Sequence, residues 1–139
     1  MVHAIAGSQR RCGAFGIFCA VAALMGLAGS VHAEDARANA RNEIRLYKAD
    51  IRKANAEISS RKSRIFAGEL LIIAAEAAVD EAKKKKDNEA AVIVLQLSLA
   101  ALKTKKDDLV KEKQEWQIYK EECQQALAEW EAYLRKLGG

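Results

Sequence analysis

The sequence predicts an all-α protein, a long antiparallel hairpin of two coiled-coil-like helices that follows an N-terminal signal peptide. Three observations lead to this prediction. After residue 33 the chain has no proline and only three glycines. Its apolar residues recur every seven positions in two separate stretches, and a lysine-rich polar segment lies between them. This combination favours two helices joined by a turn and offers almost nothing that forms a sheet.

The first 33 residues have the organisation of a secretory signal peptide. Arg10 and Arg11 form a short positive region, residues 12–28 are uncharged and largely apolar, and residues 31–33 (Val-His-Ala) match the small-x-small pattern of a cleavage site. We therefore expect cleavage after Ala33 and an exported protein, periplasmic or secreted. The alternative is an uncleaved signal anchor, because the uncharged run is long enough to span a bilayer.

The mature chain, residues 34–139, has few groups suited to chemistry. Two of the 23 basic residues and none of the 19 acidic residues leave with the signal, so the net charge becomes 21 minus 19, or +2. Such a small basic excess gives no support for nucleic-acid binding. One cysteine and no histidine remain, and no glycine-rich phosphate loop occurs. We expect no catalytic, cofactor-binding or metal-binding residues, and therefore no enzyme.

Two seven-residue repeats define the apolar seams, meaning the rows of side chains that face the other helix. The first seam is β-branched at every step: Ile44, Ile51, Ile58, Ile65, Ile72 and Val79. The second seam contains two tryptophans and one cysteine: Leu95, Leu102, Leu109, Trp116, Cys123, Trp130 and Leu137. The two repeats differ in phase, so one continuous coiled-coil helix would rotate its seam away from its partner. The chain must turn between them.

The turn is predicted within residues 83–89, a run of four lysines followed by Asp-Asn-Glu. Lysines suit the negative end of a finishing helix, while Asp or Asn can cap the next helix. We predict helices over 36–84 and 89–137 with a turn at 85–88. Folding the chain about Asp87 brings the two seams into register.

The charge distribution agrees with an antiparallel hairpin. Residues 36–64 carry nine basic and three acidic side chains, and residues 107–137 carry five basic and eight acidic ones. The hairpin places these oppositely charged stretches side by side, whereas a parallel homodimer would place each beside its like.

Arg61 is the exception on the first seam. The register places it opposite Lys113, unless the helix rotates to bring Glu112 towards it. Because long basic side chains can extend to water, we expect a locally solvated stretch here; the alternative is a flexible region that lets the two arms move apart.

The half of the hairpin nearest the turn has more apolar side chains than one seam can bury. Each forgoes about 1.5 to 3 kcal/mol of burial if left exposed, and together they exceed the apolar patches usual on soluble monomers. We predict a partner-binding surface, used for self-association or for unfolded or membrane-protein clients. Its residues lie off both seams: Phe66, Leu70, Leu71, Ile73, Ile93, Val94 and Leu97.

Two further residue sets have alternative interpretations. Cys123 is either a small buried apolar residue or, in an oxidising compartment, the site of an intermolecular disulfide. The lysines at 83–86 are either a solvated helix end or a contact for anionic lipid or an acidic partner. Membrane contact is otherwise expected only through an uncleaved signal, because Glu69, Glu76 and Asp80 interrupt the apolar face.

In export, length and hairpin form, the general plan resembles that of bacterial periplasmic helical-hairpin proteins such as the Skp/OmpH chaperones. No sequence motif accompanies the resemblance, and it assigns no family. It implies one alternative to a structural or interaction role, namely a holdase-type chaperone.

Overall fold

The computed structural model describes residues 30–85 and 88–138, which form two α-helices. The first, α1, is Ser30–Lys83, and the second, α2, is Glu89–Lys136. The described residues contain no strand, and the predicted all-α helical hairpin is confirmed. The predicted cleavage site after Ala33 falls in the first turns of α1, while the rest of the predicted signal peptide lies outside the described residues, as do the turn residues Lys86 and Asp87.

The chain leaves α1 through a tightened last turn. The backbone N–H groups of Lys84 and Lys85 donate to the carbonyls of Glu81 and Ala82, three residues earlier, at 3.3 and 3.2 Å. Such short-range bonds satisfy carbonyls that have no partner further along the helix. The hydrogen bonding of α2 then begins at Asn88, whose carbonyl accepts from Val92 at 3.0 Å.

Among the residues that the structure describes, a positive φ occurs just after the end of α2. Gly138 adopts a φ of 74°, and its N–H donates to the carbonyl of Arg135 at 3.1 Å. A left-handed glycine just beyond the last turn is a common way to end a helix. Arg135 and Lys136 in that last turn complement the negative end of the helix dipole.

The helices contribute to two compact units. We call the first the open-end unit; its described part is residues 30–55 of α1 with residues 118–138. The second is the turn unit, Ala56–Gln117.

The core of the open-end unit combines small and aromatic side chains from both helices: Ala40, Tyr47 and Ala54 of α1 with Tyr119, Cys123, Ala126 and Trp130 of α2. Ala40 and Ala54 are both 0% exposed, and Tyr119 and Trp130 are buried on α2. Small residues allow the helices to approach closely, and the aromatic rings fill the space beside them. The edge of Trp130 also meets Tyr133, with ring centroids 5.8 Å apart.

Two polar contacts join the helices of the open-end unit. The Nζ of Lys48 lies 3.1 Å from Glu131 Oε1, and Arg37 Nε donates to the Leu137 carbonyl at 2.7 Å. In the predicted register, the residues of each pair lie within about a turn and a half of one another.

The core of the turn unit consists mainly of branched apolar residues from both seams. The buried members are Ile58, Ile72, Val79, Ala82, Leu109 and Trp116. Two ion pairs cross between the helices beside this core. Glu76 Oε1 lies 2.8 Å from Lys103 Nζ, and Glu69 Oε1 lies 4.0 Å from Lys106 Nζ. These pairs also agree with antiparallel helices folded about the predicted turn.

The expectation of a solvated stretch around Arg61 is wrong for that residue. Its side chain is only 11% exposed, and its Nε donates to Glu112 Oε2 at 3.0 Å. Glu57, one turn earlier, pairs with the same guanidinium, which also lies 5.7 Å from the centre of the Trp116 ring. The guanidinium is retained near the seam because two carboxylates and an aromatic face replace much of its hydration.

Candidate protein-interaction surface

All seven apolar residues predicted to bind a partner are exposed. Their exposed fractions range from 54% for Leu70 to 67% for Leu97. Their role in binding a partner stays a prediction. We call the set the apolar surface: Phe66, Leu70, Leu71, Ile73, Ile93, Val94 and Leu97.

The apolar surface follows from the helical repeat of the sequence. Phe66, Leu70 and Ile73 are spaced by four and three residues, so they share one face of α1. Ile93 and Leu97 are spaced by four and share a face of α2. These positions alternate with seam positions that face the other helix; Ile72 and Val79 are buried, and Ile65, Leu95 and Leu102 are half-buried. One partner helix cannot cover both faces of the same helix.

The apolar surface lies within sequence that is almost free of charge. Between residues 65 and 79 the only charged side chains are Glu69 and Glu76, and both pair with lysines of α2. Between residues 90 and 102 there is no charged side chain. The α1 segment that carries Phe66, Leu70 and Ile73 therefore has few of the charged groups that usually keep a helix face in water, although the exposed Lys105 of α2 lies between the two ion pairs.

The size of the apolar surface suits an interface. At about 100 Å² for each half-exposed side chain of this size, the seven residues present roughly 700 Å². The largest apolar patch on a typical monomer is about 300 to 600 Å². A standard protein interface buries about 800 Å² on each partner.

Charged residues limit the apolar surface at both ends. Near the turn are the exposed residues Lys83, Lys84 and Lys85, of which Lys84 pairs with Glu81 at 2.7 Å. At the other end, the exposed charged side chains include Asp107 and Asp108 but also Lys105, Lys111, Lys62 and Arg64. Charged side chains of both signs therefore border the apolar surface at each end.

Cys123 lies in the core of the open-end unit and not at the apolar surface. Its exposed fraction is 0%. Of the two interpretations given above, this favours a small buried apolar residue. An intermolecular disulfide requires the thiol to reach solvent, so at this site it would require local separation of the helices.

The sequence analysis missed one exposed apolar residue, Ile118, which is 57% exposed. It lies in the sequence between Trp116 and Tyr119, which are buried aromatic residues. Because its neighbours are also apolar, composition alone does not distinguish this exposed position from the buried ones. The seven-residue repeat contains the signal that identifies it, since a residue two positions after Trp116 lies off the seam.

Residues 30–85 and 88–138 contain no group of three or more His, Cys, Asp or Glu side chains that could hold a metal ion. In the same residues, neither helix has a segment that is both apolar and long enough to cross a membrane. Comparison with protein-family models, with curated proteins and with solved structures finds no match for this chain.

Proposed function

We propose that this chain is a non-enzymatic, exported structural or interaction protein that acts as an oligomer of helical hairpins. The observation behind the proposal is the exposed apolar surface of the turn unit. Export rests on the signal-like pattern of the first 33 residues.

The energetic reason for association is the cost of leaving these side chains in water. Full burial of one such side chain is worth about 1.5 to 3 kcal/mol, so one that is half exposed still gains about 1 kcal/mol on further burial. Seven of them on each copy supply a gain comparable with the association cost of about 4 to 15 kcal/mol. Folding alone does not use this gain, because the seams already occupy the facing sides of α1 and α2.

A pair of substitutions on α2 tests the proposal. Ile93→Glu with Leu97→Glu places two charges in the centre of the proposed interface, where burial would cost several kcal/mol. We expect light scattering to show a concentration-dependent oligomer for the purified wild-type protein and a single hairpin for the variant. Far-UV circular dichroism should be unchanged, because both positions face away from the seam.

The matched control is Ser59→Glu with Ser63→Glu, which has the same spacing and the same added charge at exposed positions of α1. This variant should keep the wild-type mass. A wild-type protein that stays monomeric at every concentration would contradict the proposed self-association, as would a double variant on α2 that retains the wild-type mass.

The second candidate is a holdase-type chaperone for unfolded or membrane-protein clients, favoured by the same exposed surface. The two candidates differ in what the assembled wild-type protein exposes. A structural oligomer covers the apolar surface and binds little hydrophobic dye, whereas a holdase keeps binding dye and slows the aggregation of an unfolded client. The variant with Ile93→Glu and Leu97→Glu should lose that second activity if the apolar surface is the client site.

A further inference from the structure

We infer that a row of exposed basic side chains on α1 binds a linear acidic polysaccharide. The row belongs to the open-end unit, and we call it the basic row: Arg41, Arg45, Lys48 and Arg52. The apolar surface belongs to the turn unit, so the inference goes beyond the proposed self-association and does not require it.

The spacing of the basic row places its four side chains on one face of α1. Successive members are four, three and four residues apart, and all four are exposed. The row extends about 17 Å along the helix, with a cation at intervals of about 5 to 6 Å. It begins after Glu34 and ends before Asn55, which continue the same spacing. Such a series of cations suits a ligand that repeats its negative charges along a chain.

The nearest acidic residues of α1 lie on a different face. Glu43 follows Arg41 by two residues, and Asp50 follows Lys48 by two. A separation of two residues on a helix corresponds to about 160° around its axis, so both carboxylates point away from the basic row. Like charges four residues apart destabilise a helix. The row therefore contributes nothing to helix stability that would account for it.

The part of α2 beside the basic row supplies little negative charge. The ion pair between Lys48 Nζ and Glu131 Oε1, at 3.1 Å, identifies this part. The residues that share the face of Glu131, again spaced by four, three and four, are Lys120, Gln124 and Leu127. Together with the basic row, this face of α2 holds five cations and one carboxylate, so the net charge is five minus one, or +4.

The three arginines of the basic row keep their guanidinium groups available. Arg41, Arg45 and Arg52 form no ion pair with any carboxylate among the residues that the structure describes. Arg45 donates one hydrogen bond, to Oδ1 of the neutral Asn42 at 3.1 Å. Guanidinium groups bind sulfate, phosphate and carboxylate with two parallel hydrogen bonds, which an exposed arginine can offer to a ligand.

The residues around the arginines favour an acidic polysaccharide over other polyanions. Proteins that hold single-stranded nucleic acid also stack its bases on aromatic side chains, and neither the basic row nor the adjoining face of α2 has one. A helix bound at a membrane surface inserts large apolar side chains beside its cations. The exposed residues between the members of the row are only Asn42 and Ala49. A linear polysaccharide requires the charges alone.

The test uses the purified protein and a fluorescently labelled heparin oligosaccharide as the probe, with binding measured by fluorescence anisotropy. The row variant carries Arg41→Gln, Arg45→Gln and Arg52→Gln. For about four contacts with a densely charged polyanion, a fourfold rise in salt should lower the wild-type affinity by roughly 100-fold. In the row variant the same rise should lower it by only about fourfold. At low salt the row variant should bind at least about 30-fold more weakly than wild type.

The matched control removes three positive charges from the same unit without touching the basic row. It carries Lys53→Gln, Arg135→Gln and Lys136→Gln, all at exposed positions on other faces. Its affinity should stay within about twofold of wild type, because cations away from the contact act only through screened attraction. Far-UV circular dichroism and light scattering should show wild-type helix content and mass for both variants.

The outcomes separate this inference from the proposed function. Absence of binding at low salt, or equal weakening in the row and control variants, would overturn the basic row as a site. Tighter wild-type binding of oligothymidylate, or of vesicles containing anionic lipid, would overturn a polysaccharide as the ligand. A changed mass of the row variant would show that the row contacts a second copy and would also overturn the inference. A monomeric wild-type protein that binds heparin through the row would contradict only the proposed oligomer.

Discussion

Arg61 tests whether charge or packing stabilises the seam of the turn unit. Its guanidinium pairs with Glu57 and Glu112 and lies over the ring of Trp116. The decisive comparison is between Arg61→Ala, which removes both the charge and the volume, and Arg61→Leu, which removes the charge and keeps an apolar side chain in its place. The exposed neighbour Lys62→Ala serves as the control for loss of a surface charge.

The charge contribution is small by this geometry. The side chains of Glu57 and Glu112 are 38% and 41% exposed, so water screens both ion pairs and each contributes about 0 to 1 kcal/mol. The contact with Trp116 contributes about 0.5 to 1 kcal/mol. The loss of hydration when the guanidinium is buried offsets part of the stabilisation from these contacts.

The packing contribution is larger. The Arg61 side chain is only 11% exposed, so it fills space within the turn unit, and its removal leaves a cavity. Buried large-to-small substitutions cost about 2 to 5 kcal/mol, and the lower end applies where solvent can enter from one side. We therefore expect Arg61→Ala to lower the free energy of unfolding by about 2 to 3 kcal/mol. Arg61→Leu should stay within about 1 kcal/mol of wild type.

The assay is urea unfolding followed by far-UV circular dichroism at one fixed protein concentration, because association contributes to apparent stability. In a thermal scan the Arg61→Ala change corresponds to a decrease in Tm of roughly 10 °C. The reasoning would be refuted if Arg61→Leu destabilised the protein as much as Arg61→Ala, since the ion pairs would then supply the stability.

Three further substitutions have expected outcomes that follow from local structure. Gly68→Ala should raise the free energy of unfolding by about 0.5 to 1 kcal/mol in the same assay, because alanine favours the helix and its Cβ would meet no neighbouring group within 4 Å. A loss of stability would show that the added methyl group does meet an obstacle. Ala54→Leu should destabilise the protein by about 1 to 3 kcal/mol, since Ala54 is fully buried in the open-end unit; Ala56→Leu, exposed on the same helix, is the control. The Cys123 thiol should react with a thiol reagent many times more slowly in native protein than in urea, because it is fully buried. Equal reaction rates would show that the open-end unit opens readily.

Much of this molecule could be predicted from its sequence because its fold depends on periodicity. A seven-residue repeat identifies the buried face of a helix without any knowledge of the partner, and the phase change between the two repeats required a turn. The same repeat identified Phe66, Leu70 and Ile73 as apolar residues away from the seam, and the structure leaves them exposed. Ile118 was not among the predicted exposed residues, although the same repeat places it off the seam.

The sequence by itself determined the two helices, their antiparallel arrangement and the apolar excess near the turn, since each follows from residue spacing along one chain. Only the tertiary structure decided that Arg61 meets Glu112 and lies over Trp116, and that Cys123 is completely buried. Adjacent residues point about 100° apart on a helix, so the choice between Glu112 and Lys113 depends on how far each helix rotates about its axis. That rotation is set by the packing of many side chains at once, which periodicity does not specify.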